Sequence, residues 1–162
     1  MPQLIKNRAA AANDWVLAGT EAAAGARRLI LPLAEYLQAM TAGEPASDRA
    51  VLLKPEDQDL TSLLPHLATL PLLAVHFASS GEGRGYTQAR LLRERHGFKG
   101  ELRAMGAIRA DQVYFLARCG FDAFDLVDGE DSATAIAQLD RFTVAYQTSV
   151  GALTHTRMRY GR

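Results

Sequence analysis

The sequence holds a single cysteine, Cys119, so neither an internal disulfide framework nor a cysteine-rich zinc site is open to it. It has no surplus of either charge: eighteen basic residues balance eighteen acidic ones, and no global field recruits nucleic acid or an anionic membrane. No apolar run approaches the roughly 20 residues of a membrane helix. The N-terminal "MPQLIKNR" lacks the apolar core of a secretory signal. Ser-His-Asp order, HExxH and CxxC are missing, and His66, His96 and His155 do not stand at metal-ligand spacing. These absences lead us to expect a cytoplasmic domain that needs no metal and has no evident cofactor. What is present is ordinary globular composition, 48% hydrophobic and 22% charged, over 162 residues, enough for one domain with a real core.

From Val51 onward, short apolar runs alternate with longer amphipathic ones. "VLLK" (51–54), "LLAVHFA" (72–78), "GELRAM" (100–105) and "DAFDLV" (122–127) read as strands. The second is too apolar for an open face, as expected for a sheet covered on both sides. Between and after them, helices are expected over 60–70, 87–96 and 109–119, and from Asp131 or Ser132 through Ala135, Leu139, Phe142 and Tyr146. Pro65 implies a kink or late start in the first of these, and Gly97 and Gly120 are placed as stops. In the less regular part, 1–50, "QLIKN" and "DWVLA" suggest a hairpin around the alanine run, and "RRLILPLAEYLQAM" a strand passing into a helix. The tail 148–162 carries Arg157, Arg159 and Arg162 without an acid and reads as a mobile segment or docking arm. The expectation is a single α/β domain of four or five successive βα units with a mainly parallel sheet, either open or a partial barrel of the TIM type.

The stretch Gly81-Glu82-Gly83-Arg84-Gly85 joins an expected strand to an expected helix. A helix N-terminus offers unpaired N–H groups, glycines admit close backbone approach, and Arg84 suits a two-pronged oxyanion contact. Gly83, Arg84, Gly85 and Tyr86 are therefore candidate anion-binding residues. The spacing is neither a dinucleotide fingerprint, since Tyr86 and Gln88 stand where glycine is needed, nor a P-loop. A tight strand-to-helix turn remains the competing reading.

A second set comes from the strands. Lys54, His76, Arg103 and Asp125 each fall late in an apolar run, where parallel α/β folds bind ligands. Alternate strand residues share a face, so agreeing registers would bring the four together, and burial would oblige them to pair or to bind something. These four are the catalytic candidates, with His76 suited to carry a proton near neutral pH. The bland alternative is that they end strands or pair with one another. Cys119 reads as a small buried apolar residue. Charge is segregated along the chain, with six bases against two acids from Arg84 to Arg103, and five acids with no base from Asp122 to Asp131.

The strings "GRGYTQARLLRERHGFKGELRAMG" and "DQVYFLARCGFDAFDL" resemble the bacterial domain of unknown function 934 family, whose members are labelled as oxidoreductases involved in sulfite reduction. The resemblance extends loosely to "LIKN…DW", "LPLAEYL" and "AYQ" (145–147). It implies a place beside sulfite reductase in sulfur assimilation, and it brings no catalytic residues with it. Arg84, Gly85, Tyr86, Arg90, Arg93, Arg103, Asp111, Gln112 and Cys119 match the family's pattern. Glu82 replaces an aspartate of that pattern. At Gly106-Ala107-Ile108-Arg109-Ala110-Asp111-Gln112 one carboxylate is lost and an arginine is displaced by one position. Two functions follow as expectations: an accessory or oxidoreductase component of sulfite reduction, and a small-oxyanion enzyme or sensor using the Gly81–Gly85 loop.

Overall fold

The computed structural model describes residues 3–141 and Val150. The Phe142 and Tyr146 positions of the last expected helix, and all of the 148–162 tail but Val150, lie outside the described residues. The chain begins with β1 (Gln3–Lys6), turns at Asn7 and Arg8, both at positive φ, and returns antiparallel as β2 (Ala9–Ala11). Two successive residues at positive φ give the twist that a two-residue hairpin needs. A hairpin is therefore present, but the alanine run is its second strand and not its turn. The "DWVLA" segment instead supplies β3 (Val16–Leu17), at the other edge of the sheet.

Next come β4 (Leu29–Pro32), α1 (Leu33–Thr41), β5 (Arg49–Leu53), β6 (Leu72–Phe77) and α2 (Arg84–Glu94). They are followed by β7 (Glu101–Gly106), α3 (Val113–Arg118), β8 (Ala123–Leu126) and α4 (Ser132–Leu139). The eight strands form one sheet in the order β2-β1-β8-β7-β6-β5-β4-β3, curved into a half-barrel. From β3 to β8 every neighbouring pair is parallel, while β1 runs antiparallel to both β2 and β8. The sheet is thus mixed and not mainly parallel as expected: an apolar run shows that a strand exists but not which way it points, and β1 reaches β8 without a crossover helix to dictate its direction.

Three expected helices have different limits. Over 60–70 only a short 3-10 turn, Leu64–His66, forms, because Pro65 cannot donate in a continuing helix. Its leucines still enter the core, with Leu63, Leu67 and Leu70 buried. The helix after β6 starts at Arg84, inside the glycine loop. The one after β7 starts at Val113, so Arg109 lies in the preceding loop, and its Phe115 is 58% exposed. The α4 start is as read: Asp131 accepts from the N–H groups of Ala133 and Thr134 at 3.3 and 2.9 Å.

All four helices pack on one face of the sheet. Tyr36 and Ala39 of α1, Ala89 and Leu92 of α2, Val113 and Leu116 of α3, and Ala135 and Leu139 of α4 share a core with Val51, Val75, Leu102 and Phe124. The opposite, inner face carries Ile30, Ala50, Leu52, Leu72 and Ala74, with Trp15 and Leu17 against them and, among the described residues, no helix over them. No helix among the described residues is long and apolar enough to cross a membrane.

Candidate functional site

Strand periodicity decides which residues face inward. On β7, Leu102 and Ala104 join the helix-side core, so Glu101, Arg103 and Met105 point to the inner face. Register carries the alternation to the neighbours. Arg103 stands opposite Ala74 of β6 and Ala123 of β8, His76 stands opposite Met105, and Asp125 stands opposite Leu4 of β1. Three of the four strand-end candidates, His76, Arg103 and Asp125, therefore share the inner face. His76 and Asp125 flank Met105 at the carboxyl ends of their strands, about 10 Å apart by two strand spacings. Arg103 lies one step below, toward the middle of the sheet.

The fourth candidate does not join them. β5 ends at Leu53, and Lys54 is exposed beyond it in a turn whose backbone N–H donates to Asp57 Oδ2 at 2.8 Å. The Lys54 carbonyl is one of two held by Gln88 Nε2 from α2, so the turn is fixed by backbone contacts and the ammonium takes no part.

Arg103 is 1% exposed and firmly held. Its Nε donates to Glu101 Oε1 at 2.7 Å, its Nη2 lies 2.6 Å from the same oxygen, and its Nη1 donates to Asn13 Oδ1 at 2.8 Å. The other carboxylate oxygen of Glu101 meets Lys6 Nζ at 2.6 Å. Glu101 thus holds two cations from two strands. Asp125 accepts no comparable bond: its Oδ1 is buried without a partner. Burial raises its carboxyl above the ordinary aspartate range, the Arg103 charge opposes that rise and Asp128 adds to it. Among the described residues the His76 imidazole has no hydrogen-bond partner. Gly106 keeps the space beside it clear, since a Cβ there would lie 3.1 Å from Nε2 and 2.3 Å from the Phe77 carbonyl oxygen. Its φ of 98° is also one that side chains avoid.

Lys6, Asn13 and Glu101 belong to this cluster but were not singled out in the sequence. Glu101 carried a usable signal, two residues before Arg103 and hence on the same strand face with the opposite charge. Asn13 and Lys6 carried none, because their contacts span ninety residues or more and depend on how β1 meets β8.

The glycine loop is built differently. The Arg84 N–H, at the start of α2, donates to Glu82 Oε1 at 3.2 Å, so the loop supplies an acid where an anion would sit. Gly81 and Gly83 adopt negative φ with open space around them, so neither needs to be glycine. Gly85 does: a Cβ would lie 2.6 Å from the Phe77 ring, which is where α2 crosses β6. Tyr86 stacks edge-on against the same ring, with centroids 5.3 Å apart, and burial raises its phenol. The Arg84 side chain is exposed and has no partner among the described residues.

Other residues in the recognisable strings also brace the fold. Arg93 donates to the carbonyls of Gly120, Phe98 and Gly100 and pairs with Asp122 at 3.0 Å, joining bases and acids that are segregated along the chain. Gln112 donates to the Ser80 carbonyl and accepts the Arg109 N–H, while Glu130 accepts the Ala110 N–H and pairs with Arg109, so the loops after β6, β7 and β8 are tied together. Cys119 is half-buried, and burial raises its thiol, with Arg90 and Arg118 opposing. Among the described residues no three His, Cys, Asp or Glu side chains gather to hold a metal ion. A groove of about 710 Å³ lies between Leu64–Pro71 and His96–Gly100, at the amino ends of β6 and β7 and so at the opposite end of these strands from His76 and Asp125.

Fold and cluster together define a small α/β half-barrel protein with a polar row on an apolar inner face. The chain belongs to the family described as "Bacterial protein of unknown function (DUF934)", whose family model matches residues 50–155. No curated protein matches it significantly.

Proposed function

We propose that this protein is a cytoplasmic component of sulfite reduction that binds a small oxyanion at the carboxyl ends of β6, β7 and β8 and acts beside sulfite reductase. The observation that carries the site is the row itself: an inner face of Ile30, Ala50, Leu52, Leu72 and Ala74 is interrupted by the ion-paired Lys6, Glu101 and Arg103, with Asp125 and His76 one step further along the strands. Buried charge of this kind is costly and buys nothing for stability that apolar residues would not, so a ligand is its best justification. The place in sulfite reduction is supported by family membership and the label that the family's members carry. We also read the run from β4 to α4 as βα units of a partial barrel, an architecture whose ligands sit at the carboxyl ends of the strands.

We assign the anion to the row and not to the Gly81–Gly85 loop, because Glu82 already meets the free end of α2. A redox role would draw its electrons from a partner, since the sequence offers no nucleotide fingerprint. Thermal shift with sulfite, sulfate, phosphate and nitrate tests the site: stabilisation lost in Arg103→Met but kept in Arg84→Ala is expected. Stabilisation lost in Arg84→Ala instead would return the anion to the loop. Deletion of the gene tests the pathway, and unchanged growth on sulfite as sole sulfur source would sink that part of the reading.

A further inference from the structure

The charges on the inner face do not cancel without Asp125. Beside it on that face are Lys6 of β1, Arg103 and Glu101 of β7 and His76 of β6, with Arg103 acting on it directly; Asp128, exposed in the loop after β8, adds a negative charge that solvent screens. Lys6 and Arg103 share the single carboxylate of Glu101, which leaves one positive charge over. An ionised Asp125 neutralises that surplus and leaves nothing to attract an anion. A protonated Asp125 restores the surplus and adds an O–H donor, and its Oδ1 has no partner to give up. Two negative charges side by side against a buried wall repel strongly, so the carboxylate and a bound anion exclude each other.

We propose that the row takes a small monoanionic oxyanion together with one proton, which Asp125 carries. The proposal rests on the reading of the row as the anion site. The proton comes from solvent, forms the O–H bond on the Asp125 carboxyl as the anion arrives, and returns to solvent when the anion leaves. The bound state then has an O–H donating to an anion oxygen, with the surplus cation of the Lys6–Glu101–Arg103 group to balance its charge. Burial of the Asp125 carboxyl already favours its protonated form, so little further change is needed.

Protonation of His76 would give the same sign of pH dependence, and the test must separate the two. Methanesulfonate is a suitable probe because its own charge is constant from about pH 5 to 9, a range that spans the ordinary histidine value and a raised aspartate. Isothermal calorimetry in two buffers of different ionisation enthalpy reads the protons taken up on binding. The unmodified protein is expected to lose affinity about tenfold per pH unit above the Asp125 pKa, with close to one proton taken up per anion. Asp125→Asn is expected to bind with no proton uptake and flat pH dependence, and His76→Gln to keep the uptake whatever its affinity. Uptake that survives in Asp125→Asn and vanishes in His76→Gln would overturn the proposal, as would binding by the unmodified protein without uptake. No binding heat with methanesulfonate at any pH would remove both this proposal and the anion site beneath it.

Discussion

Asp125 and Glu101 show how differently two carboxylates on one face are treated. Glu101 is held by Lys6 and Arg103, whereas the Asp125 carboxyl is raised by burial with only the Arg103 charge in opposition. A carboxyl raised in the folded state favours folding below its unfolded value of about 3.9 and loses that contribution as pH climbs through the folded value. Asp125→Asn is therefore expected to raise Tm at neutral pH, an advantage that fades as the pH falls toward about 4, measurable by calorimetry across pH. Gain of stability on losing a residue is the usual mark of a group kept for function. Glu101→Gln should do the reverse, because it strands the buried Arg103 charge; a loss of about 3–5 kcal/mol in urea unfolding is expected. Lys6→Met, at a side chain 42% exposed, should cost within about 1 kcal/mol. At this scale the sequence was partly legible. Period-two alternation in β6, β7 and β8 was enough to place His76, Arg103 and Asp125 on one face, and it misled only at Lys54, where the strand stops one residue early. Asn13 and Lys6 were invisible because no local pattern encodes a partner across the sheet.

Among the elements, the parallel strands could be read because a sheet covered by helices makes continuous apolar runs. β2 could not, since alanine has little preference for strands and three exposed alanines show no alternation. The 60–70 segment misled for another reason: its leucines repeat with helical spacing and are buried, yet Pro65 leaves only a 3-10 turn. The glycine loop proves to be a packing element at Gly85. Gly85→Ala should cost about 1–3 kcal/mol, because α2 must move off Phe77. Gly83→Ala, at open negative φ, should be neutral or stabilising by up to about 1 kcal/mol. Chemical denaturation of the pair checks this contrast, and equal losses would mean that the loop conformation itself matters.

For the whole molecule, the half-barrel depends on its N-terminal hairpin. β1 covers the edge of β8, supplies Lys6 to the row and buries Ile5 in the helix-side core. Removing residues 1–11 should leave β8 as a bare edge beside exposed apolar surface, and size-exclusion chromatography is expected to find aggregates in place of a single species. Anion binding by that truncated chain should be lost along with its stability. The antiparallel contact between β1 and β8 also has a consequence for synthesis. β1 pairs with a strand made more than a hundred residues later, so this contact cannot form until β8 has been synthesised. A nascent chain too short to include Asp125 has a barrel wall in the making but an incomplete polar row.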